Sequence, residues 1–587
     1  MKTNMILSAS GWRKVFALSG QEQDKTTMIG EENIAISIFS AAVFADYIKD
    51  QTKKASPIVI VGMDARPTGP AISEAAIKTF IAKGIDVRYL GITAAPEIMA
   101  YSKQADGFMY ISASHNPIGH NGIKFGLDSG GVLNGTENAK LVKEFNALCE
   151  KDNAKQDAFS IIRDVPEEKI AAVYRGSADE KTKALSSYSS FLKETISGTK
   201  DNLIQKKLFD RLKNAISEKH IGVVCDMNGS ARADSVDSEF FKAAGINFYA
   251  IHNKAGEIAH EIIPEAENLV YVAAEMERLQ KEGKTDALLG YMPDCDGDRG
   301  NIVYWDENQK KAVILKAQEV FSLSVLAELA FQKWTGCKNT GVAVNCPTSM
   351  RIEEIASSFG AKVFRGEVGE ANVVNLAAEK RAEGYEIRIL GEGSNGGTIT
   401  HPSAVRDPLN TLFAIIKLMT IKELYSLWCK SRDLSEKQNY TLNNILETIP
   451  KYTTTGVSEP RAILHIETKD HSVLKAAFQK VFTEEYSAKK AFLERNGIFS
   501  WECDITNGTN ETCGETDFAK SGKGGLKIKF FGKDNTPIAF IWMRGSGTEP
   551  VFRILCDVKG NNSELEHELL AWETEMLAKA DKASVKQ

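Results

Sequence analysis

"SPIVIVGMDARP", residues 56–67, runs four consecutive β-branched residues, Ile58 to Val61, into a turn that holds Asp64, Arg66 and Pro67. A helix-prone stretch follows and ends at Gly84, where "KGIDVRYLGI" (83–92) begins a second apolar run. The same layout returns twice. "KHIGVVCDMNGS" (219–230) leads through "SEFFKAAG" to "INFYAIHN" (246–253), and "NTGVAVNCPTSM" (339–350) leads through "RIEEIASSFG" to "AKVFRGEV" (361–368). A short β-branched run, a polar turn, an amphipathic helix and a second apolar run spell a βαβ unit with two parallel strands. One such unit arises in any α/β chain. Three with similar spacing and a glycine before the second strand point to three related α/β domains.

The region from about residue 437 lacks the unit and ends in the strand-like runs "GGLKIKF", "IAFIWMRG" and "FRILCDV", which predicts a separate α+β domain. The expected domains are 1–200, 201–311, 312–436 and 437–587. Polar, helix-prone sequence between about 150 and 200 reads as a connector, and 501–525 reads as an exposed loop inside the last domain. The sequons "NGT" and "NET" in that loop carry no weight, since no secretory route is visible in the sequence.

The 587 residues exceed what one core can hold. At 43% hydrophobic and 26% charged the composition is that of a globular protein. A net charge of -6 offers no basic footprint for nucleic acid and argues against an anionic membrane surface. The longest uncharged apolar stretch, "IAISIFSAAVFA", is too short to span a bilayer, and no secretory signal opens the chain. Nine scattered cysteines without a CxxC pair read as reduced thiols of a cytoplasmic protein.

Four segments carry chemistry. In "MPDCDGDRG" Asp294, Asp296 and Asp298 alternate, so an extended backbone turns all three carboxylates to one side. Such a group repels itself without a cation, and oxygen ligands select a hard ion such as magnesium. A calcium EF-hand is excluded, because Arg299 stands where glycine is required and Trp305 where the bidentate glutamate belongs. In "RGSGTEPVFR", Gly545 and Gly547 allow close backbone approach, Ser546 and Thr548 add hydroxyls, and Arg544 and Arg553 add forked donors. This is a phosphate cradle or a tight turn with incidental arginines. "GEGSNGGTI" places Glu392 and Ser394 in a glycine-rich turn suited to sugar hydroxyls, or to a plain loop. In "YISASHNPIGHNGIKF" (110–125), Ser114 follows a strand, where open α/β sheets bind ligands. It lacks the hydrolase elbow and reads as a phosphoryl carrier, with Lys124 as acid–base group or counter-charge. The plainer alternative makes Ser114 a helix cap and His115 a hydrogen-bonded core residue.

These loops, in this order, resemble those of the α-D-phosphohexomutase superfamily: "SASHNP" its phosphoserine loop, "DCDGDR" its metal loop, "GEGSNGG" its sugar loop and "RGSGTEPVFR" its phosphate-binding loop. "SGWR", "GMDARPTG" and "PEAENL" are lesser matches. The resemblance implies four domains around a central cleft, three sharing one mixed-sheet topology and a C-terminal α+β domain. It implies that Ser114 is the phosphoserine and that Asp294, Asp296 and Asp298, with an oxygen on Ser114, hold Mg2+. It adds Arg13, His115, Lys124 and Arg299 to the catalytic set. Glu392 and Ser394 would meet sugar hydroxyls, while Arg544, Ser546, Gly547, Thr548 and Arg553 would hold the phosphate that stays put. The implied reaction interconverts hexose 1- and 6-phosphates of glucose or mannose through a hexose 1,6-bisphosphate, which also serves as activator. Sugar phosphates are the implied partners.

Two positions depart from the family pattern: Ala371 stands about where a lysine is expected, and Asn395 replaces the usual glycine. A hexosamine-phosphate mutase or a bisphosphate synthase would share these loops. A magnesium-dependent phosphatase would need no carrier serine, and a non-catalytic sugar-phosphate sensor would need neither Ser114 nor the three aspartates.

Overall fold

The computed structural model describes residues 1, 3–545 and 551–585. They form two compact units: Met1–Lys316 with Ile399–Ile421, and Ala317–Thr398 with Lys422–Gln587. The first unit holds a six-stranded and a five-stranded sheet, the second a seven-stranded sheet and all but the last residues of a four-stranded one.

All three expected βαβ units form. Strand Ile58–Met63 passes through helix Gly69–Ala82 to strand Asp86–Ile92, parallel to it. Gly222–Asp226 is joined to Asn247–Ile251 through helix Asp237–Ala243, and Thr340–Asn345 to Lys362–Gly366 through helix Arg351–Ser358, again with parallel pairing. In each case the first strand pairs on its other edge with a third parallel strand: Gly107–Ile111, Ala287–Pro293 and Glu386–Glu392. Ser114, the Asp294–Asp298 run and the Glu392–Ser394 turn each lie at the carboxyl end of that third strand. Three loops of different chemistry therefore occupy one topological position, the end of a parallel strand where such sheets bind ligands.

The central strands are β-branched because both their faces are covered. Val59 and Val61 are fully buried under helices Gly30–Thr52 and Gly69–Ala82 on one face, and Ile60 is fully buried on the other, in the core that holds Ala95, Ile98 and Tyr101 of helix Ala95–Tyr101. The polar stretch between 150 and 200 does more than connect. It forms helices Ala154–Ile162 and Glu167–Ser197, and the second lies along strand Asp86–Ile92 and helix Ala95–Tyr101, burying Ala184, Tyr188 and Leu192.

The C-terminal sheet is antiparallel, with helices His471–Ala488 and Ser563–Ser584 closing an apolar core over it. Here one expectation fails. The stretch 501–525 is not an exposed loop: Ser500–Asn507 is a strand paired along its length with Gly525–Phe531. Trp501, Cys503 and Ile505 alternate onto the core face, a period-two signal masked by the polar residues between them. The exposed part lies mainly at about 507–517, around the short strand Asn510–Thr512, with turns at 508–509, 513–514 and 522–523.

Candidate active site

Strand Gly107–Ile111 is buried throughout and delivers Ser112, Ala113 and Ser114 at its end. Ser114 adopts a left-handed backbone conformation, φ 54°, unfavourable for a residue with a side chain and common where a local geometry is enforced. Two groups enforce it. The Ser112 hydroxyl accepts from the Ser114 amide at 2.8 Å and donates to Asp296 Oδ2 at 2.9 Å. The buried Arg66 guanidinium donates to the carbonyls of Ser114, Asn116, Pro117 and His120 while pairing with Asp64 at 3.2 Å. The Ser114 hydroxyl, 1% exposed, donates to Asp294 Oδ2 at 2.6 Å and lies 3.4 Å from His115 Nδ1.

Asp294, Asp296 and Asp298 follow strand Ala287–Pro293 and are all buried, with carboxylate oxygens within 4.8 Å of one another. Gly297 makes the turn possible: φ is 72°, and a Cβ there would stand 2.3 Å from Arg232 Cγ. Arg232 in turn donates to the Gly297 carbonyl at 3.1 Å, and Ala95 N donates to the Asp296 carbonyl at 2.8 Å. Lys124 Nζ is 2.7 Å from Asp296 Oδ2, and Arg406 Nη2 is 2.8 Å from Asp298 Oδ2. Oδ1 of Asp296 and Oδ1 of Asp298 are buried with no hydrogen-bond partner among the described residues. Buried, orphaned carboxylate oxygens converging beside a serine hydroxyl fit a hard divalent cation.

Electrostatics separates the groups by role. Burial and the charges of Asp296 and Asp298 push the Asp294 carboxyl well above its ordinary range. Burial also opposes ionisation of Asp296, but the Lys124 ammonium outweighs it and holds that carboxyl below the usual values. Lys124 itself is penalised by burial, yet Asp296 and Asp298 carry its pKa above the ordinary lysine value, so it is an ammonium at neutral pH. Arg299 first, then burial and the charges of Arg13 and Arg406, drive the His115 imidazole well below its usual pKa. His115 is accordingly neutral, its protonation opposed by those arginines. Nε of Arg13 and Nε of Arg299 are buried without an acceptor among the described residues, donors suited to an anion.

The second unit carries the remaining predicted groups. Glu392 Oε1 accepts from Gly369 N at 2.8 Å and Asn345 Nδ2 at 3.0 Å, and Asn345 Nδ2 is also 3.3 Å from Ser394 Oγ. Asn395, the departure from the family glycine, donates to Glu392 Oε2 at 3.1 Å and accepts from Gly397 N at 3.0 Å, so it braces the turn. Arg544 Nε is 3.0 Å from Glu367 Oε1, and Arg553 Nη1 donates to the Val457 carbonyl at 2.6 Å. Ser546, Gly547 and Thr548 lie outside the described residues. Ala371 sits in the first turn of helix Glu370–Ala382 and supplies no ammonium.

Three residues of the first unit escaped the sequence reading. Arg66 was visible only as part of "GMDARPTG". Arg406 lies in an unremarkable stretch more than a hundred residues from its partner Asp298. Glu265, of "PEAENL", feels the charge of Arg299, and burial lifts its carboxyl to about 7.

A hydroxyl at a strand terminus, bonded to a carboxylate cluster and ringed by arginines, defines a phosphotransferase class of α/β enzyme. Comparison with known proteins narrows it. Residues 21–152 match the phosphoglucomutase/phosphomannomutase alpha/beta/alpha domain I, and residues 321–450 match domain III of the same family. A phosphoglucomutase/phosphomannomutase of Thermococcus kodakarensis is 25% identical over 524 residues, 87% of this chain and 88% of the relative. A phosphoglucosamine mutase of Methanococcus vannielii is 24% identical over 62% of this chain and 70% of its own. The crystal structure of the Paramecium phosphoglucomutase parafusin, in an open form, shares the fold with a TM-score of 0.62 at 16% identity, covering 98% of this chain and 95% of that one. The chain belongs to the α-D-phosphohexomutase superfamily and is an isomerase of the intramolecular phosphotransferase type, a sugar-phosphate mutase. No helix among the described residues is long and apolar enough to cross a membrane.

Proposed function

We propose that the chain interconverts the 1- and 6-phosphates of glucose or mannose through phosphorylated Ser114 and a hexose 1,6-bisphosphate. The observation that carries this reading is the Ser114 hydroxyl, held at 2.6 Å from Asp294 in an enforced left-handed turn, with neutral His115 beside it. In the first half-reaction a sugar hydroxyl oxygen bonds to phosphorus as the phosphorus–Oγ bond of Ser114 breaks, and the hydroxyl proton passes to His115, whose imidazolium the anionic phosphoryl group favours against the arginines. The second half-reaction reverses these steps with the other phosphate of the reoriented bisphosphate. Lys124 stays charged and compensates the carboxylates, while Arg13, Arg299 and Arg406 offset charge on the transferring group. Asp294, Asp296, Asp298 and an oxygen on Ser114 would hold magnesium, which when bound supplies Lewis-acid stabilisation of phosphoryl oxygens.

Glu392 and Ser394 are assigned to the sugar hydroxyls, and the 544–553 segment with Arg544 and Arg553 to the phosphate that is not transferred. The four domains, with boundaries near 200, 311 and 436, are part of the same proposal. The Thermococcus relative, which aligns over most of the chain, supports glucose and mannose; the Methanococcus relative supports a hexosamine phosphate as the second reading. A coupled isomerisation assay with glucose, mannose, glucosamine and N-acetylglucosamine 1-phosphates decides between them. Preference for an amino sugar would replace the first reading, and turnover of none of the four would sink both.

A further inference from the structure

Outside the active site, the carboxyl ends of the neighbouring parallel strands Gly222–Asp226 and Asn247–Ile251 bring Asp226 beside His252 and His260. Their ligand-type atoms lie within 4.8 Å of one another. Asp226 is fully buried, His260 nearly so, and His252 is 38% exposed at the mouth. Asp226 Oδ1 is 2.9 Å from His252 Nδ1, and Asp226 Oδ2 is 2.8 Å from His260 Nε2.

The other ring nitrogen of His260 constrains what lies between these groups. His260 Nδ1 is 3.0 Å from the Glu261 carbonyl, which can only accept, so Nδ1 carries the hydrogen. In the neutral ring Nε2 is then a bare lone pair facing a carboxylate oxygen at hydrogen-bond distance. Two acceptors at that separation require a cation between them, either a second proton or a metal ion. A ligating imidazole fixed through its other nitrogen by a backbone carbonyl is the usual arrangement around bound metal.

The surroundings hold this geometry. Asn228 accepts from the amides of Ala259 and His260 and donates to the carbonyls of His260 and Glu261, clamping the segment that carries His260. Tyr271 stacks on the His260 ring at 4.1 Å. The Asp226–Asn228 turn is closed by the Asn228 amide bonding Asp226 Oδ1 at 2.9 Å.

We propose that Asp226, His252 and His260 form a second metal site, distinct from the Asp294–Asp298 cluster, for a zinc-class divalent ion with water completing its coordination. Two imidazoles and one carboxylate favour a borderline transition metal over magnesium. Zinc bonds of about 2.0–2.1 Å set ligand atoms roughly 3.4 Å apart, between the 2.8 and 2.9 Å Asp–His contacts, one on each carboxylate oxygen, and the 4.8 Å span of the group, so entry asks for side-chain shifts of about an ångström. Ile258 and Ile262 of the bound segment pack with Ile118 and Cys295, which belong to the serine and aspartate loops. The ion would pin the segment that backs those loops.

The test uses the full chain, stripped of metal and titrated with Co2+ in excess Mg2+, followed by visible absorption and by calorimetry. One equivalent of Co2+ is expected, with imidazole-type ligand-field bands, displaced by Zn2+ and retained in an Asp296→Asn background. His252→Ala and His260→Ala should each weaken it at least tenfold, with folding checked by circular dichroism; the exposed His252 makes its variant the safer one. Absence of the equivalent, or its survival in both histidine variants, overturns the proposal. NMR detection of a doubly protonated His260 in protein saturated with Zn2+ would overturn it equally, assigning the bridging cation as a proton.

Discussion

At Ser114 a side-chain oxygen, a backbone in a left-handed conformation and a carboxylate at 2.6 Å coincide in one residue. If this oxygen carries the phosphoryl group, Ser114→Ala keeps its fold but loses nearly all mutase activity. Intact-mass analysis should find phosphate on wild-type protein treated with hexose 1,6-bisphosphate and none on the variant; full activity in the variant would sink the assignment. His115 gives a pH signature. Arg299 and burial hold its folded pKa well below the ordinary value near 6.5. The imidazole thus stays neutral in mild acid, and the acid limb of kcat/KM should fall below that value. The unfolded chain binds this proton from about pH 6.5 downward and the folded chain does not, so the contribution to stability is full above that pH. It is lost as pH falls toward the folded pKa, by up to about 1.4 kcal/mol per pH unit. Urea denaturation at pH 5.5 and 7.5 should show a smaller difference in His115→Gln than in wild type. An equal difference in the two proteins would show that His115 does not titrate this way.

Between residue and fold, the serine loop is an element held by one side chain. Arg66 satisfies four carbonyls and is the buried ion-pair partner of Asp64. Removing one partner of a buried pair typically costs about 3–5 kcal/mol. Arg66→Ala should therefore lower stability by about that amount in chemical denaturation. Its kcat should drop in magnesium-saturated assays while KM changes little, because Ser114 loses its enforced conformation. A variant of unchanged kcat would mean that the loop is positioned by Ser112 alone. Element boundaries also show where sequence reading works. The βαβ units were legible because buried parallel strands are continuous β-branched runs, as in Ile58–Met63. The strand Ser500–Asn507 was missed because Glu502, Asp504 and Thr506 interleave its apolar face, and the buried Asp504 is paired with Lys529 of its partner strand. Such polar burial depends on a partner more than twenty residues away.

On the scale of the whole molecule, three buried carboxylates, two of them with an orphaned oxygen, make the fold itself sensitive to cations. Chelation should abolish phosphoryl transfer, with magnesium restoring it best. Magnesium should also raise Tm, since an ion that binds only the folded state stabilises it by mass action. Indifference of both activity and Tm to a strong chelator would remove the metal from the scheme. In the second unit, Arg544→Ala and Arg553→Ala should each weaken binding of glucose 1-phosphate and glucose 6-phosphate alike, by about 1.5–3 kcal/mol, as for hydrogen bonds to a charged group. Loss of affinity for only one of the two phosphates would contradict a shared phosphate site.

Local sequence determined the repeated βαβ plan, the order of the chemical loops and the family. These rest on short-range patterns: β-branched runs, alternating aspartates and glycines where a backbone must turn. The serine, the three aspartates and Lys124 were all legible in this way. Tertiary structure alone decided their charge state and posture. The state of Lys124 follows from Asp296, 172 residues away. The neutrality of His115 follows from arginines supplied by three distant segments, and the posture of Ser114 from Arg66, 48 residues earlier. Arg406 reaches Asp298 across 108 residues, and Asp226 meets His260 where Asn228 clamps the segment that carries it. Desolvation and charge act through space, so a pKa or an enforced rotamer belongs to the packed neighbourhood, which no short stretch of chain contains.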